Sequence, residues 1–295
     1  MSASSKNISN KLPPASVEVL CDVTLHARTL GIPFFVLGAT ARDIIFGALY
    51  NIPTPRATLD IDLALRVGTW EQYAQLRTSM LGTARYVQDR IHQQRMHHTN
   101  GAILDLVPFG PLEAPAGMIA WPPDQDIVMR TAGFEEALGS AVDVTIALEP
   151  EYTVRVYTPA ALAAMKLIAW HENYPLRRKD AEDLLFIMKE YVHAGNEARL
   201  YQSDADILTD VNFAFDQASP RLLGRDIARI VTTETLSALV TILAAETADD
   251  SQFRLLSDMT HTGLREEGAL EVILVLLGQL RTGLTSVTGK GPVTP

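Results

Sequence analysis

The chain has 295 residues, of which 47% are hydrophobic and 20% charged, with one cysteine and a formal net charge of −10. That is enough apolar material for a sizeable core in one large domain or two, too little cysteine for an intramolecular disulfide or a cysteine metal cluster, and the wrong sign of charge for a protein that coats nucleic acid by neutralising phosphates. No apolar run approaches the ~20 residues that cross a bilayer, and the start, MSASSKNISNKLPP, lacks the basic end and apolar centre of a signal peptide, so the chain is expected in the cytoplasm, away from membranes.

Residues 1–15 are rich in Ser, Lys and Pro and are expected to be flexible, as are residues 285–295. Between 16 and 157 short strand-like runs alternate with helical ones. PFFVLG (33–38), ATLDIDLALRV (57–67), GAILDLVPF (101–109), SAVDVTIAL (140–148) and YTVRVYT (152–158) are rich in aliphatic and aromatic residues and bounded by Gly or Pro, as strands are. GTWEQYAQLRTSML (68–81) has helical spacing instead. From 158 to 284 the pattern is helical almost throughout. It opens on TPAALAAMKLIAW, with Thr158 as the N-cap and Pro159 at the first helical position. A turn at Asn173–Pro175 then separates this helix from RRKDAEDLLFIMKEYV.

The strand over 57–67 carries two acids. Side chains alternate along a strand, so Leu59, Ile61, Leu63, Leu65 and Val67 form one aliphatic face, while Thr58, Asp60, Asp62, Ala64 and Arg66 form the other. Two carboxylates on one face repel each other unless a cation or strong donors sit between them, and a divalent metal completed by substrate phosphates meets that need. Solvated acids on a polar strand face are the alternative. Asp105 interrupts a second buried strand and would complete a two-metal clamp, or else cap a turn. Upstream, FFVLGATARDII reads as a strand running through Gly38 into a helix, whose small residues and N-terminal amides admit a phosphate. Thr40 and Asp43 also fit a Thr-x-x-acid capping box. Lys166 lies in a helix apolar nearly all round, where a cation needs an anionic partner, phosphate or Asp180, unless it reaches solvent.

These motifs, strand–Gly–small–Thr, helix, RATLDIDL and a later strand Asp, are similar to those of the DNA polymerase β nucleotidyltransferase superfamily. VLGATARD resembles the opening motif of CCA-adding enzymes and poly(A) polymerases. The closer resemblance is to the AbiEii/AbiGii-type nucleotidyltransferases, toxins of toxin–antitoxin pairs among them, through Arg56, Thr58, Asp60 and Asp62, then KLIAW and RRKDAEDL. It covers roughly 34–185 and implies an α+β fold: a polymerase β-like head with a mixed sheet flanked by helices (16–157), followed by an α-helical C-terminal domain (158–284). It further implies Mg²⁺ or Mn²⁺ on Asp60, Asp62 and Asp105, and catalytic roles for these three with Lys166 and Asp180. The NTP would meet Gly38, Ala39, Thr40, Arg42, Arg56, Thr58 and Lys166. Gly38-Ala39-Thr40 departs from the family's Gly-Ser, so the motif hydroxyl is displaced by one position or supplied by Thr40.

The implied reaction moves an NMP from an NTP to an acceptor hydroxyl, with an RNA, specifically a tRNA 3′ end, as the first choice. Basic stretches RIHQQRMHH (90–98) and RRK (177–179) would track its backbone, or are exposed strand and helix-start charges. A protein or small-molecule acceptor, and a non-catalytic nucleotide-binding module, are the other readings. A cognate antitoxin protein is an expected partner.

Overall fold

The computed structural model describes residues 6–55, 58, 60–260 and 268–286, arranged as two compact units, Met1–Thr158 and Pro159–Pro295. In the first, ten strands and four α-helices occur among the described residues: β1 (Lys6–Asn7), α1 (Pro14–Leu30), β2 (Phe34–Leu37), α2 (Gly38–Arg42), β3 (Asp60–Arg66), α3 (Trp70–Leu81), β4 (Tyr86–Gln88), β5 (Arg95–His98), β6 (Ile103–Phe109), β7 (Met118–Ala120), β8 (Val128–Arg130), α4 (Phe134–Ser140), β9 (Val142–Leu148) and β10 (Glu151–Val156). Eight of these strands form one mixed sheet in the order β1-β9-β10-β2-β3-β6-β5-β4, and β7 and β8 pair separately.

The alternation read in the sequence sets how the sheet is covered. β3 and β6 are parallel, with Ile61 opposite Leu104 and Leu63 opposite Leu106. All four are buried, on the aliphatic face; α1 and α3 pack on each other, and Val19, Leu20 and Val23 of α1 and Leu76 and Met80 of α3 are fully buried. The opposite face changes character along its length. At the Arg66 end it is apolar, where Phe35 opposite Ala64 meets Phe109, Phe134 and Tyr157 at ring-centroid separations of 5.6, 6.1 and 4.6 Å. At the other end it carries the acids.

One expectation needs correcting, and one helix is irregular. Residues 6–15 are not a loose leader: β1 pairs in parallel with β9, the Ile8 amide donates to the Thr145 carbonyl at 2.9 Å, Ile8 is buried, and α1 begins at Pro14. A lone apolar residue in a polar run gives no periodicity from which to read a two-residue strand. The expectation for residues 287–295 lies outside the described residues. The helix after Gly38 is also irregular, since α2 passes directly into a π-helical stretch, Asp43–Leu49.

The second unit is helical in its described residues: α5 (Pro159–Glu172), α6 (Arg178–Glu190), a 3₁₀ turn (Glu197–Tyr201), α7 (Ala205–Asp210), α8 (Phe215–Ile230), α9 (Thr233–Glu246), α10 (Arg254–Thr260) and α11 (Ala269–Thr285). None of the described helices is long and apolar enough to cross a membrane. α8 and α11 touch through backbone. A Cβ on Gly224 would strike the Leu280 carbonyl oxygen and sit 2.9 Å from the Leu284 amide, and one on Gly283 would strike the Arg221 carbonyl oxygen. Gly283→Ala is therefore expected to force the helices apart and to cost about 1–3 kcal/mol, the usual penalty of overpacking, measured as a lower midpoint in urea denaturation.

Candidate functional site

The site is assembled by three neighbouring strands and one turn. β2 runs antiparallel to β3 and ends with Leu37 opposite Asp62. The chain then turns at Gly38, which has φ +68°, a left-handed value that side chains other than glycine's resist. Space forbids a side chain there as well: a Cβ on Gly38 would collide with Asp62 Oδ2 and lie 3.0 Å from its Cγ. The glycine thus brings backbone up against a carboxylate. From α2, the buried Thr40 hydroxyl donates to the Asp60 carbonyl at 2.7 Å, and the Thr58 hydroxyl accepts from the Asp60 amide at 3.1 Å. Both hydroxyls expected at the triphosphate therefore hold the start of β3 in place.

Asp60 and Asp62 are half-buried at alternate positions of β3 and share a face. Asp62 lies directly opposite Asp105 across the parallel β3/β6 pair, and Asp105 lies opposite Arg95 across the antiparallel β6/β5 pair. Residues opposite in register point to the same face, so the three form a row. Its outer member is decisive for Asp105. Arg95 Nε donates to Asp105 Oδ1 at 2.9 Å and Arg95 Nη2 to Asp105 Oδ2 at 2.7 Å, a two-pronged ion pair with the Asp105 side chain only 12% exposed. These hydrogen bonds, against a lowering by desolvation and with the charges of Asp105, Asp60 and Asp89 in support, hold the Arg95 guanidinium above its ordinary range.

Asp105, expected as a metal ligand with a catalytic role, thus has both oxygens engaged by a cation. Among the described residues, no three Asp, Glu, His or Cys side chains converge on a common point as a metal group. Sequence reading placed Arg95 in a basic stretch only. The signal that could have found it is the alternation in RMHH, which buries Met96 and His98 and sends Arg95 to the face of Asp105.

Arg42 is fully buried and its guanidinium is 2.8 Å from Asp43 Oδ1, so Asp43 serves this arginine. α2 starts after Leu37 with no side-chain cap, contrary to the capping box expected of Thr40 and Asp43. Ala39 lies in the first turn of α2, and Arg56 lies outside the described residues. The 90–98 stretch folds back on Asp89, which accepts from the amides of His92 and Ile91 at 2.7 and 2.8 Å and contacts His97 Nε2 at 2.7 Å. The His92 amide leads these contacts, and together they hold the Asp89 carboxyl well below the usual range.

Lys166 and Asp180 belong to the second unit. Lys166 Nζ is 2.6 Å from Asp180 Oδ1 and 2.8 Å from Asp183 Oδ2, and Asp183 is fully buried. The lysine's anion is supplied by α6, as the Asp180 alternative anticipated, with Asp183 as a second partner. In the 177–179 stretch Arg177 pairs with Asp180 at 3.1 Å and Arg178 with Asp258 at 3.1 Å.

A family model described as nucleotidyl transferase AbiEii toxin, type IV toxin–antitoxin system, matches residues 21–253. No curated protein matches the chain. Among solved structures, the solution structure of the antibiotic-resistance factor ANT(2″)-Ia is 15% identical with a TM-score of 0.37, covering 68% of this chain and 98% of that one. An antigenic nucleotidyltransferase-like protein from Paracoccidioides brasiliensis is 16% identical with a TM-score of 0.37, over 65% and 90% of the two chains. The Thermotoga maritima CCA-adding enzyme complexed with tRNA is 11% identical with a TM-score of 0.27, over 93% and 82%. Similarities this low assign no substrate.

Two stability outcomes follow from this geometry. Gly38→Ala should lose about 1–3 kcal/mol from left-handed strain and the displaced Asp62, read from denaturant midpoints. Lys166→Met should cost about 3–5 kcal/mol, because it removes the lysine that the buried carboxylates of Asp180 and Asp183 share; the same measurement on Lys166→Arg should recover much of the loss.

Proposed function

The chain belongs to the AbiEii family of nucleotidyl transferase toxins of type IV toxin–antitoxin systems, and from that premise we propose that its first unit moves a nucleoside monophosphate from an NTP to an acceptor hydroxyl with a divalent cation on Asp60 and Asp62. The observation that carries the reading is the placement of these two acids, on one strand face and against a glycine turn that tolerates no side chain.

The donor set fits the ion. Two hard carboxylates at alternate positions of a strand edge suit Mg²⁺ or Mn²⁺, which keep waters and complete their shells with substrate phosphates. When bound, the ion would supply positive charge to the triphosphate and to the pyrophosphate that leaves. The protein's own part is positional. Gly38 lets the Asp62 carboxylate stand against the backbone at the start of α2, and Thr40, by fixing the Asp60 carbonyl, sets the height of the carboxylates relative to that turn. The acceptor oxygen attacks the α-phosphorus as the bond from that phosphorus to the β-phosphate's bridging oxygen breaks. The acceptor proton passes to solvent, since both oxygens of Asp105 accept from Arg95. Orientation and charge neutralisation are asked to do nearly all the work.

The first acceptor to test is an RNA 3′ hydroxyl, tRNA included. The hairpin loop before β5, with exposed Arg90 and an Ile91 80% exposed, supplies one cation and one apolar side chain on the same unit as the carboxylates. The proposed setting is the cytoplasm, with a cognate antitoxin protein as regulator.

Incubation with Mg²⁺, each labelled NTP and whole-cell lysate should place label in the RNA fraction. Asp62→Ala and Asp60→Asn should lower incorporation by about 10²–10³-fold, with the denaturation midpoint measured alongside to separate lost chemistry from a lost fold. Transfer by Asp62→Ala at the wild-type rate would overturn the reading, and label in protein or small molecules instead would move the acceptor while keeping the chemistry.

A further inference from the structure

Resting on the metal reading above, we propose that Arg95 occupies the electrostatic place of a second divalent ion, so that the centre binds a single cation, on Asp60 and Asp62, while Asp105 acts as the anchor of Arg95 and not as a ligand. Arg95 is thereby a positioning residue that fixes the number of metal ions.

The row across the sheet states the problem. Asp60, Asp62 and Asp105 lie on one face of two adjacent strands, with Asp62 and Asp105 in direct register. Three carboxylates so placed require positive charge between or beside them. Part of it is already present as a side chain. The Arg95 guanidinium lies within the influence of Asp60 and Asp89 as well as Asp105, and its fork engages both Asp105 oxygens, one nitrogen to each, at 2.9 and 2.7 Å. A planar fork on a planar carboxylate is the strongest pairing available to either group, and a guanidinium, unlike a lysine, cannot relieve the contact by losing its proton.

The backbone makes the pairing hard to undo. Arg95 and Asp105 are opposite one another in an antiparallel pair, so no side-chain excursion is needed for them to meet, and the Asp105 side chain is 12% exposed. For a metal to recruit Asp105, Arg95 would have to leave a mostly buried carboxylate and find another anion. Asp60 and Asp62 are half-buried and lie one strand further from the guanidinium.

Counting bound ions decides the matter without any assay of turnover. Full-length wild type, Arg95→Gln, the charge-neutral double variant Arg95→Gln/Asp105→Asn, and Asp62→Asn are titrated with Mn²⁺ alone, free ion being followed by electron paramagnetic resonance. Wild type should take up one ion, and Asp62→Asn should weaken it by about tenfold or more. The double variant should hold one ion with affinity within about twofold of wild type, since neither altered residue is a ligand. Arg95→Gln should take up a second ion as Asp105 is released. A tenfold or greater loss of the first ion in the double variant, or two ions on the wild type, overturns the inference by making Asp105 a ligand. If Arg95→Gln fails to fold, the comparison of the double variant with wild type carries the test alone. Wild type that binds no Mn²⁺ overturns the metal reading itself, and this inference with it, whereas loss confined to the double variant overturns only the present one.

Discussion

The first unit depends on the contact between the backbone of residue 38 and the carboxylate of Asp62. Because nothing larger than hydrogen fits at residue 38, β2 can end level with Asp62 and the chain can turn at once into α2, whose first buried hydroxyl then reaches the Asp60 carbonyl. Turn, helix start and acidic strand form one rigid corner. Its other constraint is the sheet register, which places Asp105 beside Asp62 and Arg95 beside Asp105 with no adjustable linker between them.

Elsewhere the chain handles buried charge by the same device. A net charge of −10 does not mean an acidic interior, because the buried acids of the second unit are matched to arginines and one lysine. Asp204 meets Arg199 and Arg225 at 3.0 Å each, Asp226 meets Arg199 at 2.6 Å and Arg229 at 2.7 Å, and Lys166 joins α5 to α6. Burial pushes the Asp204 carboxyl up, but the Ser203 hydroxyl and the two arginines outweigh it and hold that group below its ordinary range. Pairs of this kind penalise the loss of one partner more than they reward formation, so they specify which helices meet rather than add much to stability.

The features legible in the sequence are those carried by local periodicity. Alternation in DIDLALR announces both faces of β3, and Gly38 between a strand and a helical run announces a turn. The long aliphatic helices after Thr158 declare themselves by length. What was not legible is cross-strand pairing. The alternation in RMHH gives the face of Arg95 but not its partner, ten positions away across a hairpin, and the surrounding histidines and glutamines make the stretch read as a polar surface. Thr40 was obscured for a related reason: a threonine near a helix start has several uses, and only the position of β3 shows that its hydroxyl is needed by the Asp60 carbonyl. The strand at Lys6–Asn7 is formed by what β9 offers, not by any preference of its own.

The parallel pairing of β3 with β6 also bears on how the protein is made. β5 and β6 are joined by a short hairpin, so the Arg95–Asp105 contact can form early, from a loop that costs little entropy to close. Asp62 can meet that hairpin only after the chain between β3 and β6, including α3, has been laid down and folded back, a non-local step of the kind that slows folding. The Arg95–Asp105 contact is thus local to one hairpin, whereas Asp62 joins the row only through a pairing between segments far apart in the chain.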